Sequence, residues 1–223
     1  MKIGIIGAME SEIEIFKKKL EKMQQTEVLG KIYYEGKLKG KKVVLTQSGI
    51  GKVHAALATQ TIISRFGVTH MINSGVAGAI SEELIPGDIV VSIDLVYHDV
   101  DVTGFGYPPG QVPGTYSTFF KADKGLIELI NNDDIYKGRI ATGDQFISDL
   151  EKKAWIRKTF NPLCVEMEGA AIAHVCILSK IPFVVIRAIS DTASGNAEKE
   201  FSSNLEHGIE RATSITENII SKL

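Results

Sequence analysis

Cysteine is nearly absent from this 223-residue chain: Cys164 and Cys176 are the only two, and no CxxC spacing joins them. That excludes a disulfide-stapled scaffold and gives no sign of a thiolate zinc site. The five histidines include no HExxH pair, so no metal or other cofactor is expected. Arginine is scarce, limited to Arg65, Arg139, Arg157, Arg187 and Arg211. No charge of one sign dominates: the net charge is −2 and the isoelectric point about 6.2. No broad basic field therefore advertises nucleic acid or an anionic membrane as a partner. Long apolar runs are missing as well. The opening run from Ile3 to Ala8 stops at Glu10 and Glu12, too early for a signal-peptide core, and no later stretch could span a bilayer. A cytoplasmic protein acting on a small molecule is expected.

What is present is the composition of an ordinary globular protein, 44% hydrophobic and 23% charged, with no linker-like stretch. A single domain over residues 1–223 is expected. Short β-rich runs at 2–6, 32–38, 42–46, 70–73, 88–96, 138–142 and 182–189 read as strands. Helical periodicity fits 11–22, 53–66, 121–132, 149–160, 168–179 and 197–222. The alternation predicts an α/β fold of three layers, a central, mixed and twisted sheet covered by helices on both faces. In such folds ligands bind beyond the carboxyl ends of strands. Small residues and acids gather there: Gly7 to Glu12, Ser48 to Gly51, Ser74-Gly75-Val76-Ala77-Gly78, Asp144-Gln145-Phe146, and Ser190-Asp191. The segment 97–120 differs, with Tyr97, Phe105, Tyr107, Tyr116, Phe119 and three prolines but no periodicity. So many aromatics are costly to leave in water, which favours a subunit interface over a surface excursion.

Two glycine patterns invite phosphate chemistry and fail. Gly4-Ile5-Ile6-Gly7 is not GxGxxG, and around Gly49-Ile50-Gly51-Lys52-Val53 both the first glycine and the metal-binding hydroxyl of a P-loop are missing. The second pattern still reads as a glycine-rich approach to a helix that aims backbone N–H groups at a ligand. Glu12, taken alone, is a first-turn acid favourable to the helix dipole by about 0.3–1 kcal/mol. Glu166-Met167-Glu168 is harder to explain by capping alone. Extended geometry would put both acids on one face and Met167 opposite. Arg187 interrupts an apolar strand that ends at Asp191, facing either a polar cavity or an acid in a structural ion pair.

Taken together, IGIIGAMESE (3–12), SGIGKV (48–53), YHDVDVTGFG (97–106), TGDQFI (142–147), VEMEGAAIAHVC (165–176) and PFVVIRAISD (182–191) resemble the bacterial 5′-methylthioadenosine/S-adenosylhomocysteine nucleosidases, of nucleoside phosphorylase-like fold. The likeness runs essentially end to end. It implies hydrolysis of the N-glycosidic bond of 5′-methylthioadenosine and S-adenosylhomocysteine, and of 5′-deoxyadenosine, in methionine salvage. Asp191 would protonate N7 of adenine, and Glu12 would activate the attacking water. Glu168 would accept from the ribose hydroxyls, with Glu166 beside it and Met167 packed on the sugar. Phe146 would stack on adenine and Ile147 would present backbone groups to the base edge. Ser190 would position Asp191, and Arg187 would fix the water or Glu12. Met9, Ile50 and Phe201 would form an apolar 5′ slot, completed by Val102, Phe105 and Pro113 from the other subunit of a homodimer. Ala77 and Gly78 belong to the same pocket edge. Two positions depart from the family pattern: Val76 stands where serine is common, and Gly169 where alanine is.

Three alternatives remain at this level. A phosphorylase would need cations around a dianion, and the arginine supply is thin. A 6-amino-6-deoxyfutalosine nucleosidase differs only in the 5′ substituent. A silent nucleoside sensor could have lost Glu12 or Asp191, yet both are present.

Overall fold

Alternation along the first strand sets the two faces of the fold. In β1 (Ile3–Gly7), Ile3 and Ile5 enter one apolar cluster and Ile6 another. A Cβ at Gly4 would lie 2.9 Å from the Met71 sulfur, so the strand needs glycine there to seat its neighbour. The computed structural model describes residues 1–131 and 134–223. Nine further strands join β1 in one mixed sheet: β2 (Glu21–Val28), β3 (Lys31–Leu38), β4 (Lys41–Gln47), β5 (His70–Ala79), β6 (Ile89–Tyr97), β7 (Phe120–Lys121), β8 (Ile135–Thr142), β9 (Cys164–Glu166) and β10 (Phe183–Asp191). The helices are α1 (Glu10–Lys19), α2 (Lys52–Phe66), α3 (Lys124–Glu128), α4 (Leu150–Phe160), α5 (Gly169–Leu178) and α6 (Ala197–Lys222).

β1, β4, β5 and β10 run parallel, and β10 is buried along its whole length, as a central strand covered on both faces should be. One apolar cluster joins the sheet to α2 and α5 through Ala55, Ile62 and Ile172. The other joins the opposite face to α1 and α6 through Ile13, Phe16, Ala212 and Ile219. The expected central mixed sheet with flanking helices is therefore observed. No helix among the described residues is long and apolar enough to cross a membrane.

Pairing at β5 makes the sheet more than a flat array. One edge of β5 pairs with β10 over most of its length. The other edge pairs with β1 only from His70 to Asn73, and then with β9 only at Gly78 and Ala79. Residues 74–77 are thus left without a strand neighbour on that side, and β1 and β9 diverge from a common edge. From β9 the sheet continues through β8 and β6 back to β10, closing a circuit of strands around the divergence.

Several expected boundaries move, β8 starting at Ile135 and β10 ending at Asp191 among them. The first helix ends at Lys19 rather than residue 22, and an unforeseen strand β2 follows; seven of its eight residues are exposed, so no apolar alternation marks it. The glycine-rich residues after Asn73 continue β5 to Ala79 instead of leaving it. The helix expected over 121–132 contracts to α3, capped by the Asp123 side chain on the Leu126 N–H at 2.9 Å, with β7 before it. The end of that expectation, Asn132, lies outside the described residues.

Ile72 is fully buried in β5 between β1 and β10. Ile72→Ala should lower unfolding stability by roughly 2–5 kcal/mol with little change in denaturant m-value, measured by urea denaturation.

Candidate active site

The small residues of β5 are small because carboxylates lie against them. A Cβ at Gly75 would sit 2.5 Å from Glu12 Oε1, and one at Gly78 would sit 2.8 Å from Asp191 Oδ1. The unpaired stretch of β5 supplies a donor as well: the Val76 N–H reaches Glu12 Oε1 at 3.2 Å. The other oxygen, Oε2, accepts from the N–H groups of Ala8 (2.6 Å) and Met9 (3.1 Å), the second of these being half of a capping box at the start of α1. Glu12 is thus both a helix-capping acid and a buried carboxylate in the divergence of the sheet. Burial raises its pKa, opposed by the positive charge of Arg187 and by its three backbone donors.

Asp191 ends β10, where the pairing with β5 shifts register after Ile189. Its Oδ1 accepts from the Ala193 N–H at 2.9 Å and its Oδ2 from the Ser190 hydroxyl at 2.8 Å. Burial pushes its pKa up, while those two donors hold it down. Arg187, only four residues earlier, makes no hydrogen bond to it; the nearby charges that act on Asp191 are Glu200, which raises its pKa, and Lys153, which lowers it. Arg187 Nη2 donates to Glu166 Oε2 and to Asn73 Oδ1, each at 2.5 Å, and its Nη1 donates to the Ile186 carbonyl. Arg187 is therefore a buried ion pair with Glu166, the alternative that the sequence left open; it is not in the cavity lining, and its positive charge acts on Glu12 without a hydrogen bond to it.

Glu166 is the hub of this network. Besides Arg187 it accepts from the Thr142 hydroxyl and from the N–H groups of Glu168 (3.0 Å) and Gly169 (2.7 Å), tying β8, β9, β10 and the start of α5 together. The chain bends after Glu166, so extended alternation fails and Met167 faces the same cavity as both acids. Glu168 accepts from the Gly51 N–H at 2.8 Å. Its pKa is pushed up to about 8, first by burial and then by the negative charge of Glu166. The glycine-rich approach to α2 is correspondingly not open to an anion: Gly51 donates to Glu168, and the Lys52 N–H donates to Asp144 at 2.8 Å.

These groups enclose a cavity of about 350 Å³. Met9, Glu12, Ile50, Ala77, Gly78, Phe146, Ile147, Glu166, Met167, Glu168, Ser190, Asp191 and Phe201 all line it. Phe146 is 46% exposed and meets Phe201 edge-on, ring centroids 6.1 Å apart. Ala8, Val76, Gln145 and Val165 line it too; the first three lie in segments read from the sequence as the ligand edge, but none of the four was given a role. Ala8 and Val76 serve Glu12 through backbone N–H groups, which leave no mark in residue type. Val102, Phe105 and Pro113 are not part of this chain's own cavity wall, and Phe105 is 86% exposed. Among the described residues no lysine or arginine lines the cavity. Arg139 pairs with Asp94 at 2.6 Å, Arg157 with Glu82, and Arg211 donates to the Gly87 carbonyl.

The chain matches the Phosphorylase superfamily over residues 2–221. It is 45% identical to the 5′-methylthioadenosine/S-adenosylhomocysteine nucleosidase of Staphylococcus haemolyticus, over 99% of this chain and 100% of that one. The S-adenosylhomocysteine nucleosidase of Streptococcus pyogenes, solved in complex with 5-methylthiotubericidin, superposes with a TM-score of 0.97 at 38% identity, covering 100% of this chain and 97% of that one. Futalosine hydrolase of Helicobacter pylori superposes with a TM-score of 0.94 at 34% identity, covering 100% and 98%. With the carboxylate-lined cavity of the same fold, these likenesses establish that the chain belongs to the 5′-methylthioadenosine/S-adenosylhomocysteine nucleosidases of the phosphorylase superfamily.

Proposed function

We propose that this chain hydrolyses the N-glycosidic bond of 5′-methylthioadenosine and S-adenosylhomocysteine, releasing adenine and the 5-thio-substituted ribose. The observation that carries the reading is the make-up of the cavity wall: the acids Glu12, Glu166, Glu168 and Asp191 line it, with no lysine or arginine among the described residues. A phosphate dianion placed there meets carboxylates and no free cation, whereas water and an uncharged ribosyl purine meet no such barrier. That favours hydrolysis over phosphorolysis. The futalosine reading shares the chemistry and differs only at the 5′ end.

The reaction develops positive charge on the ribose and negative charge on the departing purine. Asp191 in its protonated form, which burial favours, donates its proton to N7 of adenine, so the base leaves uncharged. Glu12, held by three backbone N–H groups, takes a proton from the water that attacks the anomeric carbon. Glu168 accepts from the ribose hydroxyls and Met167 packs on the sugar, while Glu166 keeps Glu168 in place through its backbone N–H. Phe146 stacks on adenine, and the Ile147 backbone meets the base edge. Met9, Ile50 and Phe201 receive the 5′ substituent.

The 97–120 segment completes this slot across a homodimer, through Val102, Phe105 and Pro113 of the partner subunit. What supports that assembly is the exposure of Ile50 (54%) and Phe105 (86%). We read residues 1–223 as one domain, since one sheet draws strands from most of the chain. We assign it to the cytoplasm, where buried free Cys164 and Cys176 suit a reducing compartment.

Adenine release from 5′-methylthioadenosine should proceed in phosphate-free buffer at an undiminished rate, followed by chromatography; a strict phosphate requirement would favour the phosphorylase. Glu12→Gln and Asp191→Asn should each lower kcat by about 10²–10⁴-fold. In the native enzyme kcat/KM should fall on the acid side as Glu12 protonates and on the alkaline side as Asp191 ionises, both limbs lying above ordinary carboxylate values.

Glu168 also links pH to stability. Its folded pKa of about 8 exceeds the ordinary 4.5, so the folded chain keeps a proton that the unfolded chain has lost. Stability should therefore decline as pH rises from about 4.5 to about 8. Thermal unfolding of the ligand-free protein across that window should show the slope, and Glu168→Gln should flatten it.

A further inference from the structure

The strand end that carries Asp191 is gripped from outside the cavity. Glu200 Oε2, in the first turns of α6, accepts from both the N–H and the hydroxyl of Thr192, each at 2.8 Å. Asn204, one turn further on, donates to the Ser190 carbonyl at 3.1 Å and to the Glu200 carbonyl at 2.8 Å. Lys153 Nζ from α4 donates to the Thr192 carbonyl at 2.6 Å. The residues on either side of Asp191 are thus fastened to α6 and α4. Beyond Thr192, Ala193 has a φ of 46°, the left-handed region that a non-glycine residue enters only when its surroundings hold it. That turn is what presents the Ala193 N–H to Asp191 Oδ1.

Phe201 directly follows Glu200. It lines the cavity and lies edge-on to Phe146, so one turn of helix carries both an apolar wall residue and the carboxylate that grips Thr192. We propose that Glu200 is a positioning residue that couples the slot wall at Phe201 to the orientation of the Asp191 carboxyl, so that a 5′ substituent seated on Phe201 raises turnover as well as affinity. The inference rests on the nucleosidase reading of the cavity.

The argument is geometric. Movement of the first turns of α6 carries Phe201 and Glu200 together, because both belong to one rigid helical segment. The two bonds from Glu200 pass that movement to Thr192, and the tight turn passes it to Ala193, one of the two donors that orient Asp191. Reactions of this kind are sensitive to displacements well under 1 Å, since proton donation needs the carboxyl within hydrogen-bond reach of N7. Contact energy from a remote substituent can then appear in the chemical step. A first-turn acid that only answers the helix dipole would need no such pair of bonds to one residue.

Adenine release by the full-length enzyme should be measured with 5′-methylthioadenosine and 5′-deoxyadenosine for Glu200→Ala, Glu200→Gln and Thr192→Val. Glu200→Ala should lower kcat for the methylthio substrate roughly tenfold, towards the value for 5′-deoxyadenosine, while the KM ratio of the two is kept. Glu200→Gln, whose amide oxygen can accept both bonds, should restore the maximal kcat while moving the alkaline limb to lower pH, since the charge that raises the Asp191 pKa is gone. Thr192→Val, which deletes one of the two, should fall between. A Glu200→Ala enzyme with unchanged kcat, an equal fall for both nucleosides, or a Glu200→Gln enzyme as slow as Glu200→Ala would overturn the coupling. If Glu200→Ala does not fold, the Gln and Val variants decide the matter by the same criteria. Failure of the native enzyme to release adenine from either nucleoside would instead sink the nucleosidase reading.

Discussion

The buried pair between Arg187 and Glu166 is the constraint on which the site depends. Both groups are almost completely removed from water, and leaving either unpartnered would cost on the order of 3–5 kcal/mol. The guanidinium is bonded to Glu166 and Asn73 and makes no bond to Asp191, whose pKa burial raises at the end of the same strand. The guanidinium charge reaches Glu12 across the divergence of the sheet and opposes the effect of burial there. The two carboxylates answer to different charges: Glu12 to Arg187, and Asp191 to Glu200 and Lys153. The same pairing fixes Glu166, which in turn holds the backbone of Glu168 and Gly169 at the start of α5.

Sheet geometry makes room for this arrangement. A strand paired on both edges throughout would have no free N–H to offer a carboxylate. β5 offers one at Val76 because β1 departs after Asn73 and β9 arrives only at Gly78. Gly75 and Gly78 then let Glu12 and Asp191 approach the strand more closely than any side chain would permit. The substitution of valine at 76 leaves this function intact, since it is the backbone that binds Glu12.

Much of this was legible in the sequence. Buried strands announce themselves by β-branched runs, and Asp191 stood out as an acid closing such a run. Glu166-Met167-Glu168 is unusual where it occurs, whereas Glu12 reads alone as an ordinary first-turn acid, and it and Phe146 could be named only through the family resemblance. Other features leave no such trace. The exposed β2 pairs through its backbone and lacks apolar alternation. Ala8 and Val76 act through N–H groups that every residue but proline possesses. The partner of Arg187 could not be chosen among several acids, because the choice depends on how β9 and β10 are set against each other in space. Extended alternation misplaced Met167 for a related reason: the chain bends after Glu166, bringing the Glu168 and Gly169 N–H groups onto a carboxylate that Thr142 and Arg187 bond from distant parts of the chain.

The carboxylates of the cavity also explain why an enzyme would keep so many acids together at a cost to stability. Burial raises Glu12, Glu168 and Asp191 alike, yet the chemistry requires them in different protonation states. Backbone donors are the means of separation. Glu12 has three and the field of Arg187, all favouring the anion that a base must be. Asp191 has one backbone N–H and a neighbouring hydroxyl, and a donor of that hydroxyl kind can turn to suit a protonated acid. Glu168 has a single N–H from Gly51 and sits beside Glu166, so in the empty cavity it is held as an acid. In the proposed reading, ribose hydroxyls would supply the donors that Glu168 lacks, and binding a nucleoside would therefore favour its ionised form. A phosphate ion brings further negative charge and no donor unless it is protonated, so the cavity discriminates between nucleoside and phosphate through its own unsatisfied demand for hydrogen-bond donors.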